Sequence, residues 1–334
     1  MSQPAVQYFE LSDPVHGMVP CAAVSPVDEP KPLPLCLFLY GGGGNRESLT
    51  SIVPLLAAWW RDGTLPACRV ATPDVGPWSF YLDDRPRGFA RESFIVERFV
   101  PHLAAQSATD ASLPVGLVGV SMGGYGALKL AFSRPHAFAA VAAVSPMLEP
   151  SAEAEPVATR NRYFYPPEVP QALLGPTRDA ALYRSDHPAA RAKTHERALR
   201  ESSLGIYIDA AGDDFLHAHD GAEFLHRVLW QLDVPHEYQL RRDADHTGPD
   251  LPERLRAAFA WVGRHLQPTA AQPEPTALEV SWLRWLEGRD PEPPATELPI
   301  TSPWFVRVLR ARVAVPRRAA AEHDPSVLRR YGLL

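Results

Sequence analysis

The sequence has little of the chemistry that supports disulfides, metal clusters or membrane spans. It holds three cysteines in 334 residues, Cys21, Cys36 and Cys68, and their spacing matches no common metal-binding pattern. Cys36 and Cys68 lie inside apolar runs, so we expect the cysteines to be reduced, buried packing residues. No uninterrupted apolar stretch approaches the length that crosses a bilayer, and we expect no membrane association.

A strong charge of one sign is also missing. Lys and Arg number 33 against 39 Asp and Glu, a formal charge of -6, and the first two-thirds of the chain carry no basic block. This balance gives no electrostatic reason to expect a nucleic-acid partner and favours a small-molecule one. The first residues lack the basic and apolar segments of a secretory signal, so we expect a cytoplasmic protein.

The most informative pattern surrounds a single serine. The stretch Gly119-Val120-Ser121-Met122-Gly123 follows the apolar run 114–120 and precedes a helix-forming segment at 125–133. A serine hydroxyl becomes a nucleophile only where a base can reach it, typically at a sharp strand-to-helix turn. Glycines on both sides permit such a turn, because a Cβ there would collide with the adjoining strand and helix. The pattern predicts a nucleophile elbow, with the Met122 N–H as an oxyanion donor.

Strand-like and helix-like segments alternate along the first 266 residues. Short β-prone runs at 8–11 and 18–24 predict an opening antiparallel hairpin. Further strands are predicted at 35–40, 69–72, 114–120, 138–144, 205–210 and 236–240, with buried-strand character at 35–40 and 205–210. Amphipathic helices are predicted at 47–60, 91–105, 218–232 and 251–266, with Pro54 in an early turn or at a break of the first one. This alternation indicates an α/β protein with a mostly parallel central sheet of about eight strands flanked by helices.

Two polar loops offer a carboxylate and a base for the serine. An acidic turn containing Asp213 and Asp214 follows the strand at 205–210, and His246 lies in the loop after the last strand. The order Ser, Asp, His is that of serine hydrolases built on a parallel sheet, and one helix plus one strand separates the acid from the histidine. We therefore predict Ser121 as nucleophile, His246 as base and a carboxylate of the acidic turn as the group that orients His246.

Other polar residues have two interpretations, one functional and one structural. His217 and His219, with Asp220, resemble a metal pair but lack a third ligand at a regular spacing, so we expect solvated residues and no metal. Asp74, Tyr81 and Asp83 either orient substrate or satisfy their own loop. An aromatic cluster at residues 163–165 either lines a pocket or covers the surface.

Taken together, these segments resemble an α/β-hydrolase family that includes esterase D (S-formylglutathione hydrolase), feruloyl esterase domains and the antigen 85 mycolyltransferases. The matching segments span residues 5–266 and read LYGGGGNRESL, PDVGPWSFYLDD, GVSMGGYGAL, IYIDAAGDDFL and DADHTGP. The resemblance implies the α/β-hydrolase fold and the cleavage of carboxylic esters or thioesters through an acyl-enzyme, without a metal or organic cofactor. An acyltransferase, or a non-catalytic binding protein on the same fold, remains the alternative.

The resemblance also assigns roles to individual residues. Matched to the family's acid turn, Asp214 is the acid; Ala211 stands where a glycine is usual, which keeps Asp213 as the alternative. The oxyanion donors are the N–H groups of Gly42 and Met122. Further expected substrate contacts are Gly43, which is also the fallback oxyanion donor, Tyr81 and Tyr125.

Two regions depart from the alternating pattern. Residues 147–201 are rich in proline, alanine and charge, and we predict an insertion that caps the site. Residues 268–334 begin as a proline-rich linker, and we predict a C-terminal arm with helix-sized pieces at 278–286 and 305–315. The catalytic domain should therefore span 1–267. The arm is expected to pack on its own domain or to form a homodimer.

Overall fold

The computed structural model describes residues 4–27, 32–84, 88–106, 114–151, 180–267, 276–286 and 289–297. The chain divides into two compact units, Met1–Pro268 and Thr269–Leu334. The predicted pieces at 163–165 and 305–315 lie outside the described residues.

The first unit is built around an eight-stranded sheet with the strand order β1-β2-β4-β3-β7-β8-β9-β10. Its strands are β1 (Gln7–Asp13), β2 (Gly17–Val24), β3 (Leu35–Leu39), β4 (Arg69–Pro73), β7 (Val115–Val120), β8 (Ala140–Val144), β9 (Gly205–Ala211) and β10 (Glu237–Arg241). β1 and β2 form the predicted antiparallel hairpin, β2 pairs antiparallel with β4, and the remaining neighbours are parallel. β5 (Asp83–Asp84) and β6 (Phe89–Ala90) form a separate two-stranded sheet. The mostly parallel sheet of the sequence prediction is confirmed.

Helices follow the parallel strands along the chain. They are α1 (Glu47–Arg61), α2 (Arg91–Phe94), a π-helical turn (Ile95–Phe99), α3 (Val100–Gln106), α4 (Met122–Ser133), α8 (Ala218–Gln231) and α9 (Leu251–Leu266), with α10 (Ala277–Leu286) in the second unit. The prediction for Pro54, an early turn or a break, is wrong in both forms, because α1 continues through Pro54 in its interior. Pro54 lies on the exposed face, where water can satisfy the carbonyl that loses its partner, while a buried stripe including Leu49 and Leu56 holds the helix to the sheet.

The central strands carry the core. Every residue of β3, β4 and β8 is buried, as expected for strands covered on both faces. The three cysteines are buried and unpaired, and burial raises the pKa of the Cys21 and Cys68 thiols to about 12. They therefore stay protonated and act as packing residues, as the sequence predicted.

The predicted insertion contains three short helices in its described part. These are α5 (Ala180–Asp186), α6 (Pro188–Thr194) and α7 (Glu196–Glu201). α6 packs against α8 and against α4, which is the helix that follows Ser121. Among the helices described, none is long and apolar enough to span a membrane.

Candidate active site

Ser121 lies at the sharp turn between β7 and α4. Its backbone has φ 54° and ψ -117°, a conformation that non-glycine residues rarely adopt. Hydrogen bonds hold the turn from both sides, because the Ser121 N–H donates to the Val144 carbonyl (2.9 Å) and the Ser121 carbonyl accepts from Met147 (3.0 Å). The strained backbone is therefore fixed by the neighbouring strand β8 and the segment that follows it.

The two glycines of the elbow are required by close backbone approach. A Cβ added at Gly123 would lie 1.9 Å from the Leu39 carbonyl oxygen, and one at Gly119 would lie 2.1 Å from the Gly123 carbonyl oxygen. No flexible side chain can move aside to relieve either contact. The collision expected from the sequence is therefore present in the fold.

Three predicted residues meet at the carboxyl ends of the strands. The Nε2 atom of His246 lies 2.9 Å from Ser121 Oγ, and its Nδ1 atom lies 2.7 Å from Asp214 Oδ2. All three side chains are buried. Since a carboxylate only accepts, Asp214 fixes the proton on Nδ1 and leaves Nε2 as the acceptor that faces the serine hydroxyl.

The acidic turn separates its two aspartates clearly. Asp214 is buried and faces His246, whereas Asp213 is exposed to solvent. Burial of the Asp214 carboxylate disfavours its ionised form, but hydrogen bonds from His246, Leu216 and Ala218 outweigh burial and lower its pKa. Asp214 is thus held ionised beside the imidazole.

Hydrogen bonding in the glycine-rich loop after β3 distinguishes between the candidate oxyanion donors. Gly43 donates its N–H to the Pro77 carbonyl (2.7 Å), which commits the fallback donor elsewhere. Among the described residues we find no hydrogen-bond partner for the N–H groups of Gly42 and Met122. Gly42 is also in contact with Trp78, whose ring would lie 2.1 Å from an added Cβ. A donor at Gly42 therefore lies beside an aromatic wall.

The two tyrosines predicted to contact substrate lie beneath the elbow. Tyr81 is fully buried; its ring packs against Gly126 and its hydroxyl donates to the Tyr40 carbonyl at 3.1 Å. Tyr125 is also buried, and its ring meets Phe80 edge-on at 5.4 Å. Both side chains are therefore buried in the packing around α4 and are not exposed at the surface.

A buried ion cluster joins α4 to the helices of the predicted insertion. Lys129 Nζ donates to the Tyr81 carbonyl (2.7 Å) and lies 3.4 Å from Glu92 and 3.6 Å from Asp186. Arg191 pairs with Asp186 at 2.6 Å. The cluster links α4, α2, α5 and α6, so the elbow helix and the helices of the predicted insertion are held together by groups whose loss would leave buried charges unpaired.

The remaining polar candidates are occupied by structural contacts. Asp83 accepts hydrogen bonds from the Ser93 N–H and hydroxyl, and Asp74 accepts from the Tyr40 hydroxyl and the Gly76 N–H. His219 pairs with Asp220 at 3.4 Å. Across the described ranges, no group of three or more His, Cys, Asp or Glu side chains is arranged to hold a metal ion.

The sequence analysis did not predict two residues that contact the loops of His246 and Asp214. Asp245 accepts hydrogen bonds from the N–H groups of His246 and Phe215, and the fully buried Arg254 donates to the Asp245 carbonyl. Asp245 could have been found from its place directly before His246. Arg254 could not, because periodicity assigns an arginine in an amphipathic helix to the solvent face.

A family model described as "Putative esterase" matches residues 84–247. This match confirms the family resemblance drawn from the sequence motifs. It covers the stretch from β5 through the elbow and the acidic turn to His246. No curated protein matches the chain.

Solved structures with the same fold span most of the chain. A ferulic acid esterase has a TM-score of 0.63 at 18% identity, covering 79% of this chain and 100% of its own. The S-formylglutathione hydrolase FrmB from Staphylococcus aureus has a TM-score of 0.58 at 18% identity, covering 78% and 100%. MPT51 (FbpC1) from Mycobacterium tuberculosis has a TM-score of 0.59 at 15% identity, covering 79% and 99%. These likenesses establish the α/β-hydrolase fold.

Proposed function

We propose that this chain, whose residues 84–247 match the putative esterase family, is a serine esterase that cleaves carboxylic esters or thioesters through an acyl-enzyme. Ser121 is the nucleophile, His246 the general base and acid, and Asp214 the carboxylate that orients His246. The single observation that carries the proposal is the hydrogen-bonded chain from Ser121 through His246 to Asp214, with distances of 2.9 and 2.7 Å.

The first half-reaction forms the acyl-enzyme. Ser121 Oγ attacks the carbonyl carbon of the substrate while His246 Nε2 takes the hydroxyl proton. The negative charge that develops on the carbonyl oxygen is stabilised by the N–H groups of Gly42 and Met122. His246 then gives its proton to the departing alcohol or thiol as the bond to the leaving group breaks.

The second half-reaction releases the acid. His246 takes a proton from water, the resulting hydroxide attacks the acyl carbon, and the same two N–H groups again hold the oxyanion. The proton returns to Ser121 Oγ as the acyl bond breaks. Asp214 stabilises the imidazolium in both halves, which its ionised state beside Nδ1 supports.

The walls of the site favour a substrate with apolar groups on either side of the reacting carbonyl. Trp78 lies against Gly42, and Phe215 meets His246 edge-on at 5.8 Å. The ferulic acid esterase among the solved structures with this fold is named for an aromatic acyl group. Together these observations support a small organic ester as substrate, with the acyl or leaving group packing on aromatic side chains.

Replacing the nucleophile tests the proposal. Ser121→Ala should reduce hydrolysis of nitrophenyl esters and of acyl thioesters by at least about 10⁴-fold, since the covalent route is lost. The matched control is Ser133→Ala, a serine later in the same helix whose hydroxyl donates to the Lys129 carbonyl. Turnover within about tenfold of wild type in purified, folded Ser121→Ala would contradict the assignment.

The acceptor of the acyl group separates an esterase from an acyltransferase. Both use the same residues and differ only in whether water or an alcohol takes the acyl group. Product analysis with added alcohol, at fixed substrate, measures that partition directly. We propose hydrolysis as the main outcome; ester products that dominate at low alcohol concentrations would assign the chain to acyl transfer.

A further inference from the structure

Asp245 connects the two loops that carry the candidate acid and base. Its Oδ1 atom accepts a hydrogen bond from the His246 N–H at 2.6 Å and another from the Phe215 N–H at 3.1 Å. Phe215 directly follows Asp214, so one carboxylate oxygen holds the backbone beside the acid and the backbone of the histidine. We propose that Asp245 is a positioning residue that sets the distance between Asp214 and His246.

The backbone of Asp245 is itself fixed from below. Arg254 on α9 donates from Nη1 to the Asp245 carbonyl at 2.8 Å. The same guanidinium donates to Asp209 on β9 (2.7 Å) and to the Ser145 hydroxyl (2.6 Å). Because the side chains of Arg254 and Asp209 are fully buried, this anchor ties the histidine loop to the sheet.

The two loops meet beyond the ends of their strands. β9 and β10 pair only as far as Ala211 and Arg241, so Asp214 and His246 lie past the last strand pairing. Two backbone bonds continue the connection, from Gly212 to the Arg241 carbonyl (2.7 Å) and from Asp213 to the Ala244 carbonyl (2.9 Å). Asp245 adds one further bond between the loops, from the Phe215 N–H to its carboxylate, at the level of the reacting groups.

The proposed role depends on an acceptor oxygen rather than on a charge. Both partners of Oδ1 are neutral backbone N–H groups, and an asparagine places a carbonyl oxygen at the same position. Losing the acceptor removes this partner from two N–H groups and loosens the contact between the loops at the level of the reacting groups, while the backbone bonds between the loops remain. A misplacement of about 1 Å at a reacting group costs roughly 10²-fold in rate. The effect on rate rests on the proposed function, since it acts through His246 and Asp214, whereas the effect on the geometry of the two loops does not.

Three variants of the full chain test the role. Asp245→Ala removes the acceptor, Asp245→Asn keeps it, and Asp243→Ala removes an exposed carboxylate of the same loop. We expect kcat to fall roughly 10- to 100-fold in Asp245→Ala with KM changed by less than about twofold. Asp245→Asn should stay within about threefold of wild type and Asp243→Ala should be unchanged, as measured with a nitrophenyl ester. If Asp245→Ala does not fold, Asp245→Ser takes its place, because its hydroxyl is too short to reach both N–H groups.

A second readout does not depend on turnover. The proton held between His246 Nδ1 and Asp214 should give a low-field ¹H NMR signal in the wild type, in Asp245→Asn and in Asp243→Ala. This signal should be absent in folded Asp245→Ala. Full activity and an unchanged signal in Asp245→Ala would overturn the positioning role, as would equal losses in Asp245→Asn and Asp245→Ala. An inactive wild type that loses the signal only in Asp245→Ala would instead overturn the proposed function and leave the positioning role standing.

Discussion

His246 Nε2 lies 2.9 Å from Ser121 Oγ although 125 residues separate them in the chain. The serine is fixed by a strained turn between β7 and α4, and the histidine by a loop anchored to β9. Both are placed from the same end of the parallel sheet, where such sheets hold their ligands.

The two aspartates of the acidic turn should differ sharply when each is replaced by asparagine. Asp214→Asn should lower kcat by roughly 10³- to 10⁴-fold, because an amide cannot hold the imidazole in the required tautomer or stabilise its cation. Asp213→Asn is the matched control and should change kcat by less than about threefold, since that side chain is exposed. Steady-state kinetics on both variants decides, and the opposite ranking would move the acid to Asp213.

Gly123→Ala should disrupt the elbow. The added Cβ would lie 1.9 Å from the Leu39 carbonyl oxygen, so β3 and α4 must separate. We expect a loss of about 3 kcal/mol or more in the free energy of unfolding, measured by urea denaturation. Gly63→Ala is the control: its Cβ meets nothing within 4 Å, and its φ of +75° should cost only about 1 to 2 kcal/mol. Equal losses in the two variants would show that close packing at the elbow is unimportant.

His187 should make the fold sensitive to mild acid. It is fully buried at the start of α6, and burial lowers its pKa to about 4. Its Nδ1 accepts from the Ala189 N–H (3.1 Å) and its Nε2 lies 3.1 Å from the Glu149 carbonyl, so both ring nitrogens are satisfied in the neutral form.

The sign of the pH effect follows from that depressed pKa. The unfolded chain binds the proton more readily than the folded chain, so the stabilisation is complete above about pH 6.5 and is lost as the pH falls towards 4. The pKa difference corresponds to about 3 kcal/mol of stability. His187→Asn keeps a capping acceptor without titrating, and its unfolding free energy should vary less between pH 6.5 and pH 4 than that of the wild type. His136→Asn, at an exposed histidine, should follow the wild type.

The C-terminal arm should control assembly without being needed for chemistry. In the described part of the arm, α10 exposes Leu278 and Val280, and its two tryptophans, Trp282 and Trp285, meet edge-on at 5.7 Å. We propose that the arm forms a homodimer and that the catalytic domain ends near Gln267. Light scattering should therefore find a dimer for the full chain and an active monomer for residues 1–267. Monomers in both cases would contradict the dimer, and an inactive, insoluble 1–267 would contradict the boundary.

Local patterns in the sequence predicted the sheet and the elbow well, because both depend on short-range chemistry. Buried strands such as β3 appear as continuous apolar runs, and the glycines around Ser121 mark a turn that tolerates no Cβ. Pro54 was misjudged because its effect depends on which face of α1 it occupies. That face is set by packing of the whole helix on the sheet.

The finer features of the site required three-dimensional contacts. Asp213 and Asp214 are adjacent and chemically identical, and only the path of the turn decides which one reaches His246. Arg254 is charged and still fully buried, because Asp209 pairs with it. Asp209 lies 45 residues earlier in the chain. Pairings over such distances leave no periodic signal in one sequence. Supporting residues of this kind are therefore found only once the fold is known.

The most direct test of the central claim is covalent trapping of the nucleophile. The full chain is treated with a fluorophosphonate probe, digested, and the modified peptide is sequenced by mass spectrometry. We expect one adduct per chain, on Ser121, with labelling abolished in Ser121→Ala and slowed strongly in Asp214→Asn. A chain that hydrolyses esters while forming no adduct, or one whose adduct lies on another residue, would contradict the account.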